Sequence, residues 1–316
     1  MHKTIMIILL LFLTVNAKDL TPIATIKTSG LVTDFVEDHG YLYVATDAGI
    51  VDIIDLTTQK IVKKIIFEPL RTAMGDFVPA RVHSIDRYHG KTLLVTSGSN
   101  AYRNVWIHDG KHLKKIIDEK QHMMPKCVLF TDKGKIVFGT FGSDVVLYDY
   151  KENYTLYDSH ISESTMGGMA LSQDKKKMVI SDESGTVRLI DVNSSKVEKV
   201  FSSEHIDNIY RVAYSNGVII TAGQDRRVGV YSENGKAYHI KSDFLVYSVG
   251  ISPSGETGIY SSGIDHDLQL FHTKDGSKTD RLIGHYATPN KIMFINENAL
   301  ISAGDENRVF FWMIEK

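Results

Sequence analysis

A short apolar segment recurs seven times along the 316-residue chain. Its copies read VDIIDL from Val51, VWIHDG from Val105, VVLYDY from Val145, VRLIDV from Val187, VGVYSE from Val228, LQLFHT from Leu268 and VFFWMI from Val309. The intervals between them are 54, 40, 42, 41, 40 and 41 residues. Self-similarity at a fixed period of this size marks a repeat architecture, in which a unit buries its apolar faces only by stacking on its neighbours.

Each unit reads as four strands, the recurrent segment being the third. Upstream lie second-strand runs such as KIVFGT at 135 and first-strand runs such as IYRVAYS at 209; downstream lie fourth-strand runs such as IVKKII at 61. These runs are rich in Val, Ile, Tyr and Phe. Clusters such as Ser252-Pro253-Ser254-Gly255 separate them, which is the punctuation of antiparallel sheet. The pattern predicts an all-β chain, a seven-bladed β-propeller over residues 18–316. The seventh unit ends with its third strand. The strand-like stretch Thr21–Lys27 is therefore expected to supply the missing strand, closing the last blade and leaving no open sheet edge. Two seven-stranded sandwiches are the rival architecture, but sandwich strands have no need of constant spacing.

At the fourth and fifth positions of the recurrent segment stand Ile54-Asp55, His108-Asp109, Tyr148-Asp149, Ile190-Asp191, Tyr231-Ser232, Phe271-His272 and Trp312-Met313. A Gly-His pair, Gly284-His285, lies 27 residues before Trp312. These resemble worn copies of the Trp-Asp and Gly-His signatures of WD40 repeats. The resemblance covers residues 18–316. It implies a hydrogen-bonded set of His, Ser or Thr, Asp and Trp within a blade. In the last unit His285, Ser302, Asp305 or Glu306, and Trp312 match it; in the fifth, His205, Thr221, Asp225 and Tyr231 do. Such sets are expected to be structural ties through buried hydrogen bonds, not catalytic groups.

The N-terminus is expected to lie outside the propeller. Met1-His2-Lys3 is basic, Thr4–Val15 is almost wholly apolar, and Val15-Asn16-Ala17 offers a cleavage site before Lys18. That order predicts a signal peptide over residues 1–17 and a periplasmic protein with no membrane attachment after cleavage. An uncleaved anchor is the other reading, although the apolar run is short for a bilayer core of about 30 Å. Cys127 is the only cysteine. It excludes a disulfide framework, a CxxC redox pair and a CxxCH haem attachment, and it suits an oxidising compartment. The formal charge of -2 provides no basic field, so neither nucleic acid nor an anionic membrane is expected as a partner.

Catalytic signatures are missing: no GxSxG elbow, HExxH helix, phosphate loop or EF-hand loop occurs. The two tryptophans, Trp106 and Trp312, are too few for the quinone-dependent dehydrogenase propellers. Asp182, Asp225 and Asp265 sit at corresponding turns, where either turn formation or a ring of metal ligands could use them. His122-Met123-Met124 and Cys127 carry ligands suited to Cu(I). Strand alternation would set Met123 and Cys127 on one face and His122 and Met124 on the other, so core packing is the reading taken. No metal and no cofactor is expected. Asp191-Val192-Asn193-Ser194-Ser195, at a predicted hairpin, resembles the extended acidic sequon of bacterial glycosylation; Asn193 is the acceptor or part of a plain turn.

The one outsized interval falls between units one and two, in a connection from a fourth to a first strand over residues 67–80. In a propeller such connections share a face, here termed the top, with those between second and third strands. With the turn at residues 98–104 it offers Arg71, Met74, Phe77, Arg81, Tyr102 and Arg103, of the types enriched in interfaces. The loop either projects as a docking surface or folds over the ring with its apolar groups buried. The function expected is an exported, non-enzymatic scaffold or accessory factor that binds a protein partner. The alternative is an exported metal-dependent lactonase or hydrolase with carboxylates converging at the central channel. An overall resemblance to the NapL-type propeller proteins implies components of the periplasmic nitrate reductase system as partners, and a role in its maturation or support.

Overall fold

The computed structural model describes residues 17–314 apart from Lys133. The targeting segment read at residues 1–17 lies outside them except for Ala17. Seven sheets follow one another along the chain, each laid down from the axis outward. Blade 1 comprises Val32–Asp38, Tyr41–Thr46, Ile50–Asp55 and Lys60–Ile66; blade 2, Val82–Tyr88, Lys91–Ser97, Arg103–His108 and Leu113–Ile117. Blade 3 comprises Pro125–Asp132, Lys135–Thr140, Asp144–Asp149 and Tyr154–His160; blade 4, Met166–Leu171, Lys177–Asp182, Val187–Asp191 and Val197–Phe201. Blade 5 comprises Ile209–Ser215, Val218–Gly223, Arg227–Ser232 and Ala237–Lys241; blade 6, Val249–Ile251, Thr257–Ser262, Asp267–His272 and Lys278–Leu282. Blade 7 comprises Pro289–Asn296, Ala299–Gly304, Arg308–Met313 and, from the N-terminus, Ala24–Lys27. The seven-bladed, all-β expectation therefore holds.

The core is distributed between blades. Seven buried apolar clusters each join one blade to the next, for example Leu93, Val105 and Ile117 of blade 2 against Phe130, Ile136 and Phe138 of blade 3. The cluster of Ile301, Ala303 and Val309 with Val32, Phe35 and Leu42 joins blade 7 to blade 1 and completes the ring. Because both faces of a middle strand meet a neighbouring blade, those strands read as continuous apolar runs; Thr92–Thr96 is wholly buried. The outermost strand Tyr154–His160, with one face in solvent, alternates instead.

Ring closure pairs Ala24 with Phe311, Thr25 with Phe310, Ile26 with Val309 and Lys27 with Arg308. The chain before it is used as well. Asp19–Leu20 runs parallel to Arg281–Leu282 as a fifth strand of blade 6, and Asp19 receives both Arg281 Nε and Nη2 at 2.9 Å. The N-terminal segment thus stitches two blades where one was expected.

The innermost strands share an irregularity invisible in the sequence pattern. Six of them skip one residue in pairing with the second strand: Thr33, His83, Lys126, Gly167, Tyr210 and Asn290. In blade 6 the equivalent pairing is made by a side chain, Ser261 Oγ accepting from the amides of Tyr247 and Ser248. A bulge re-aims the side chain of its extra residue. Here it does so at the top end of six of the seven inner strands, around the mouth of the channel. Gly167 is required at its bulge, because a Cβ there would stand 1.7 Å from the Ile209 carbonyl oxygen of the next blade.

Candidate functional site

The outsized connection projects. Leu70–Arg71 and Phe77–Val78 form a two-stranded ribbon, turned by Thr72–Asp76 with Gly75 at φ +94°. Met74 is 94% and Phe77 70% exposed, so the covering alternative does not apply. The ribbon belongs to a wider pattern on the top face. Leu31, Ile206, Ile264 and Tyr286, in four other top connections, are also exposed.

Beneath the ribbon lies a cleft of about 410 Å³, walled by Leu70, Val78, Met124, Phe141 and Tyr102 with Arg103 and His83. Tyr102 stacks on His122, ring centroids 4.5 Å apart. Arg103 lies over Phe141, 4.7 Å from the ring centroid, and donates to the Pro125 carbonyl at 2.9 Å. Of the six expected partner-binding residues, Tyr102 and Arg103 line the cleft, Arg71 and Phe77 pair on the ribbon, and Met74 tops its turn. Arg81 stands exposed just before the inner strand of blade 2. The connectivity argument brought these residues to one face. It missed Met124, Phe141 and His83, which come from other connections and a bulge.

His83 links the cleft to the channel, lining both. The channel cavity, about 460 Å³, is walled by inner-strand residues including Asp34, Asp86, Lys126, Cys127, Arg211 and Lys291. Burial, then the charges of Arg103 and Arg81, push His83 down to about 3, so the ring is neutral and its Nε2 bonds Ser97 Oγ at 2.8 Å. Burial pushes the Cys127 thiol up. Two channel acids are committed to the next inner strand: Asp34 Oδ2 accepts from Ile85 N at 3.1 Å, and Asp86 Oδ2 from Phe130 N at 2.7 Å. Lys291 Nζ lies 2.8 Å from Asp34 Oδ1.

The tetrad-like sets are buried. His285 Nε2 meets Ser302 Oγ at 2.6 Å, and Trp312 Nε1 donates to the same oxygen at 2.7 Å. Its Nδ1 meets Glu306 Oε1 at 2.5 Å. The acid of this set is therefore Glu306 and not Asp305, which lies one residue earlier in the turn and is held by Asn290 Nδ2 at 3.1 Å. In blade 5, His205 joins Thr221 at 2.7 Å and Asp225 at 3.0 Å. Tyr231 occupies the Trp place with its hydroxyl buried beside Thr221 and no aligned hydrogen bond.

The turn aspartates are spent locally. Asp182 accepts from Ser162 and Ser184 and pairs with Arg188; Asp225 holds His205 and the Ile206 amide; Asp265 is exposed in its own turn. Among the described residues no three His, Cys, Asp or Glu side chains are grouped to hold a metal. The His122–Cys127 alternation needs correcting, since the strand begins only at Pro125. His122 caps a 3₁₀ turn, Met123 packs between blades 2 and 3, and Cys127 packs between blades 3 and 4. Asn193 is exposed in the hairpin between the third and fourth strands of blade 4. Among the described residues no helix is long and apolar enough to cross a membrane.

No family model matches the chain. Actin-interacting protein 1 of Caenorhabditis elegans is 22% identical over 216 residues, which is 65% of this chain and 34% of that protein. The chain thus spans about a third of the length of this curated relative. The β-propeller domain of Myceliophteria thermophila Cps50 (Swd1) superposes with a TM-score of 0.74 at 15% identity, covering 93% of this chain and 99% of the domain. Blade count, topology and this likeness agree on a WD40-like seven-bladed propeller.

Proposed function

We propose that this chain is a non-enzymatic scaffold that holds a protein partner on its top face, across the Leu70–Val78 ribbon and the cleft below it. The observation that carries the reading is the ribbon itself. Met74 and Phe77 stand almost bare at the end of the one connection that departs from the repeat. Exposing such groups opposes folding and solubility, so their presence beside an apolar cleft is accounted for by burial against a partner. We further propose that the protein is exported through residues 1–17. Its partners are then components of a periplasmic nitrate reductase system, whose maturation or activity it supports; the support here is the signal-like N-terminus and the overall resemblance to NapL-type propellers.

The test is affinity purification of the tagged protein from the periplasmic fraction. A native partner should be retained by the wild type and lost by the Phe77→Ala, Tyr102→Ala double variant. Neither side chain belongs to a buried interblade cluster, so the fold should survive. Undiminished retention by the double variant would remove the top-face surface. Elution without any molybdenum or haem protein would remove the nitrate reductase assignment and leave the scaffold reading standing.

A further inference from the structure

We propose that the channel mouth beside this cleft is a receptor for an acidic peptide segment of the protein partner, carboxylates over the mouth and a neighbouring apolar side chain in the cleft. This rests on the scaffold reading and names what the surface recognises.

The chain carries a formal charge of -2, yet Lys126 and Arg211 line the channel, Arg103 lines the adjoining cleft, and Arg81 lies close enough to act on His83 and Arg103. Arg81 and Arg103 come from blade 2, Lys126 from the bulge of blade 3 and Arg211 from the inner strand of blade 5. None of the four forms an ion pair among the described residues. Three of them are held by neutral groups instead. Arg103 donates to the Pro125 carbonyl, Lys126 to the Met166 carbonyl and Arg211 to the Asn290 carbonyl. Arg103 and Lys126 both lie over the Phe141 ring, at 4.7 and 5.5 Å from its centroid. Carbonyl dipoles and a ring face position a cation but leave its charge uncancelled. The strain of that arrangement shows in the groups themselves. Burial brings Arg103 down to about 10, opposed by Cys127 and aided to a lesser extent by the Arg81 charge. Burial also lowers Lys126, opposed by Cys127 and Glu183 and aided by Arg211 and Arg103.

Among the described residues no neighbouring acid forms an ion pair with the four. Asp34 is taken by Lys291 and two backbone amides, Asp305 by Asn290, and Glu119 by Ser99 and Asn104. Glu183 acts on Lys126 from an exposed position without a hydrogen bond to it. The four cations belong to three blades, and Arg103, Lys126 and Arg211 turn toward three different carbonyls, so they do not converge on one small anion. A segment with several carboxylates can meet them in series. His83, neutral and lining both spaces, offers no charge barrier between mouth and cleft.

The test uses the full chain on an array of random dodecapeptides at low salt. The peptides retained should be strongly acidic with an aromatic or aliphatic residue, and half-molar sodium chloride should weaken them by about tenfold or more. Arg81→Glu with Arg211→Glu, two exposed positions, should weaken them by about tenfold at an unchanged melting temperature. Phe77→Ala should leave peptide affinity within about twofold while reducing native partner capture, which separates failure here from failure of the ribbon reading. Retention without acidic bias, no retention at all, or indifference to the charge reversal overturns the proposal. So does displacement of the peptides by equimolar inorganic phosphate, which would mark a small-anion site.

Discussion

Single residues in this protein differ in consequence according to what their loss strands. His285 and Glu306 are both fully buried, and one Glu306 oxygen already lacks a partner. Removing the imidazole leaves a carboxyl in an apolar interface with nothing to bond. His285→Ala should cost about 3–5 kcal/mol in urea unfolding. Replacing the whole pair, His285→Phe with Glu306→Leu, should recover much of that loss, because two similar-sized apolar groups need no partners. His205→Ala strands less, since Asp225 keeps the amides of Ile206 and Arg227; about 1–2 kcal/mol is expected. The titration of His83 adds a pH dependence of determinate sign. Its folded value is held near 3 by burial and by two arginines, whereas the unfolded chain protonates near 6.5. The unfolded state therefore binds the extra proton in that window. The contribution is intact above about pH 6.5 and erodes toward pH 3, at up to about 1.4 kcal/mol per unit. Burial lowers His205 and His108 in the same direction. In His83→Asn the urea midpoint should fall less steeply between pH 6.5 and 4 than in the wild type; parallel profiles would refute the assignment.

Among the elements, the N-terminal segment has the largest leverage for its size. Ala24–Lys27 covers the edge of Arg308–Met313, and Ile26 packs on the cluster joining blades 7 and 1. Asp19–Leu20 only extends blade 6 at its rim, with an exposed ion pair to Arg281. A chain beginning at Thr21 should thus keep the oligomeric state of the parent with a slightly lower melting temperature. One beginning at Ser29 should melt far lower and associate, because a bare strand edge recruits other chains. Size-exclusion chromatography with thermal denaturation separates the two. Equally low melting of both chains would mean that the parallel strand, not the antiparallel one, seals the ring.

For the molecule as a whole, stability resides in seven interfaces of similar make, one of them joining chain ends about 300 residues apart. An open array of such units could unfold from its ends. A closed ring has none, and opening it exposes two blade faces at once. Far-UV and near-UV signals should therefore trace a single coincident urea transition. Two transitions would show that some blades hold together without the rest. The same ring sets function apart from fold: blades supply a rigid annulus, and the departures from their repeat, a ribbon and a row of bulges, occur at its top.

The blade number, the four strands per blade and the sealing of the last blade from the other terminus were legible because they rest on local signals. Apolar runs, turn residues and their period are properties of neighbours in the chain. So was the likeness of His205 and His285 to structural ties, although spacing alone left Asp305 and Glu306 undecided; which carboxylate faced inward depended on how the turn lay against the blade. The channel mouth was legible only in part. Arg81 and Arg103 were read onto the top face from the connections of blade 2, but Lys126 and Arg211 stand in two other blades, in stretches that read as ordinary strands. A bulge costs one unpaired residue and leaves no mark on composition. Periodicity determined that a ring would form. Only closure of that ring brought those charges to one opening, because their meeting depends on distances across the axis and not on distances along the chain.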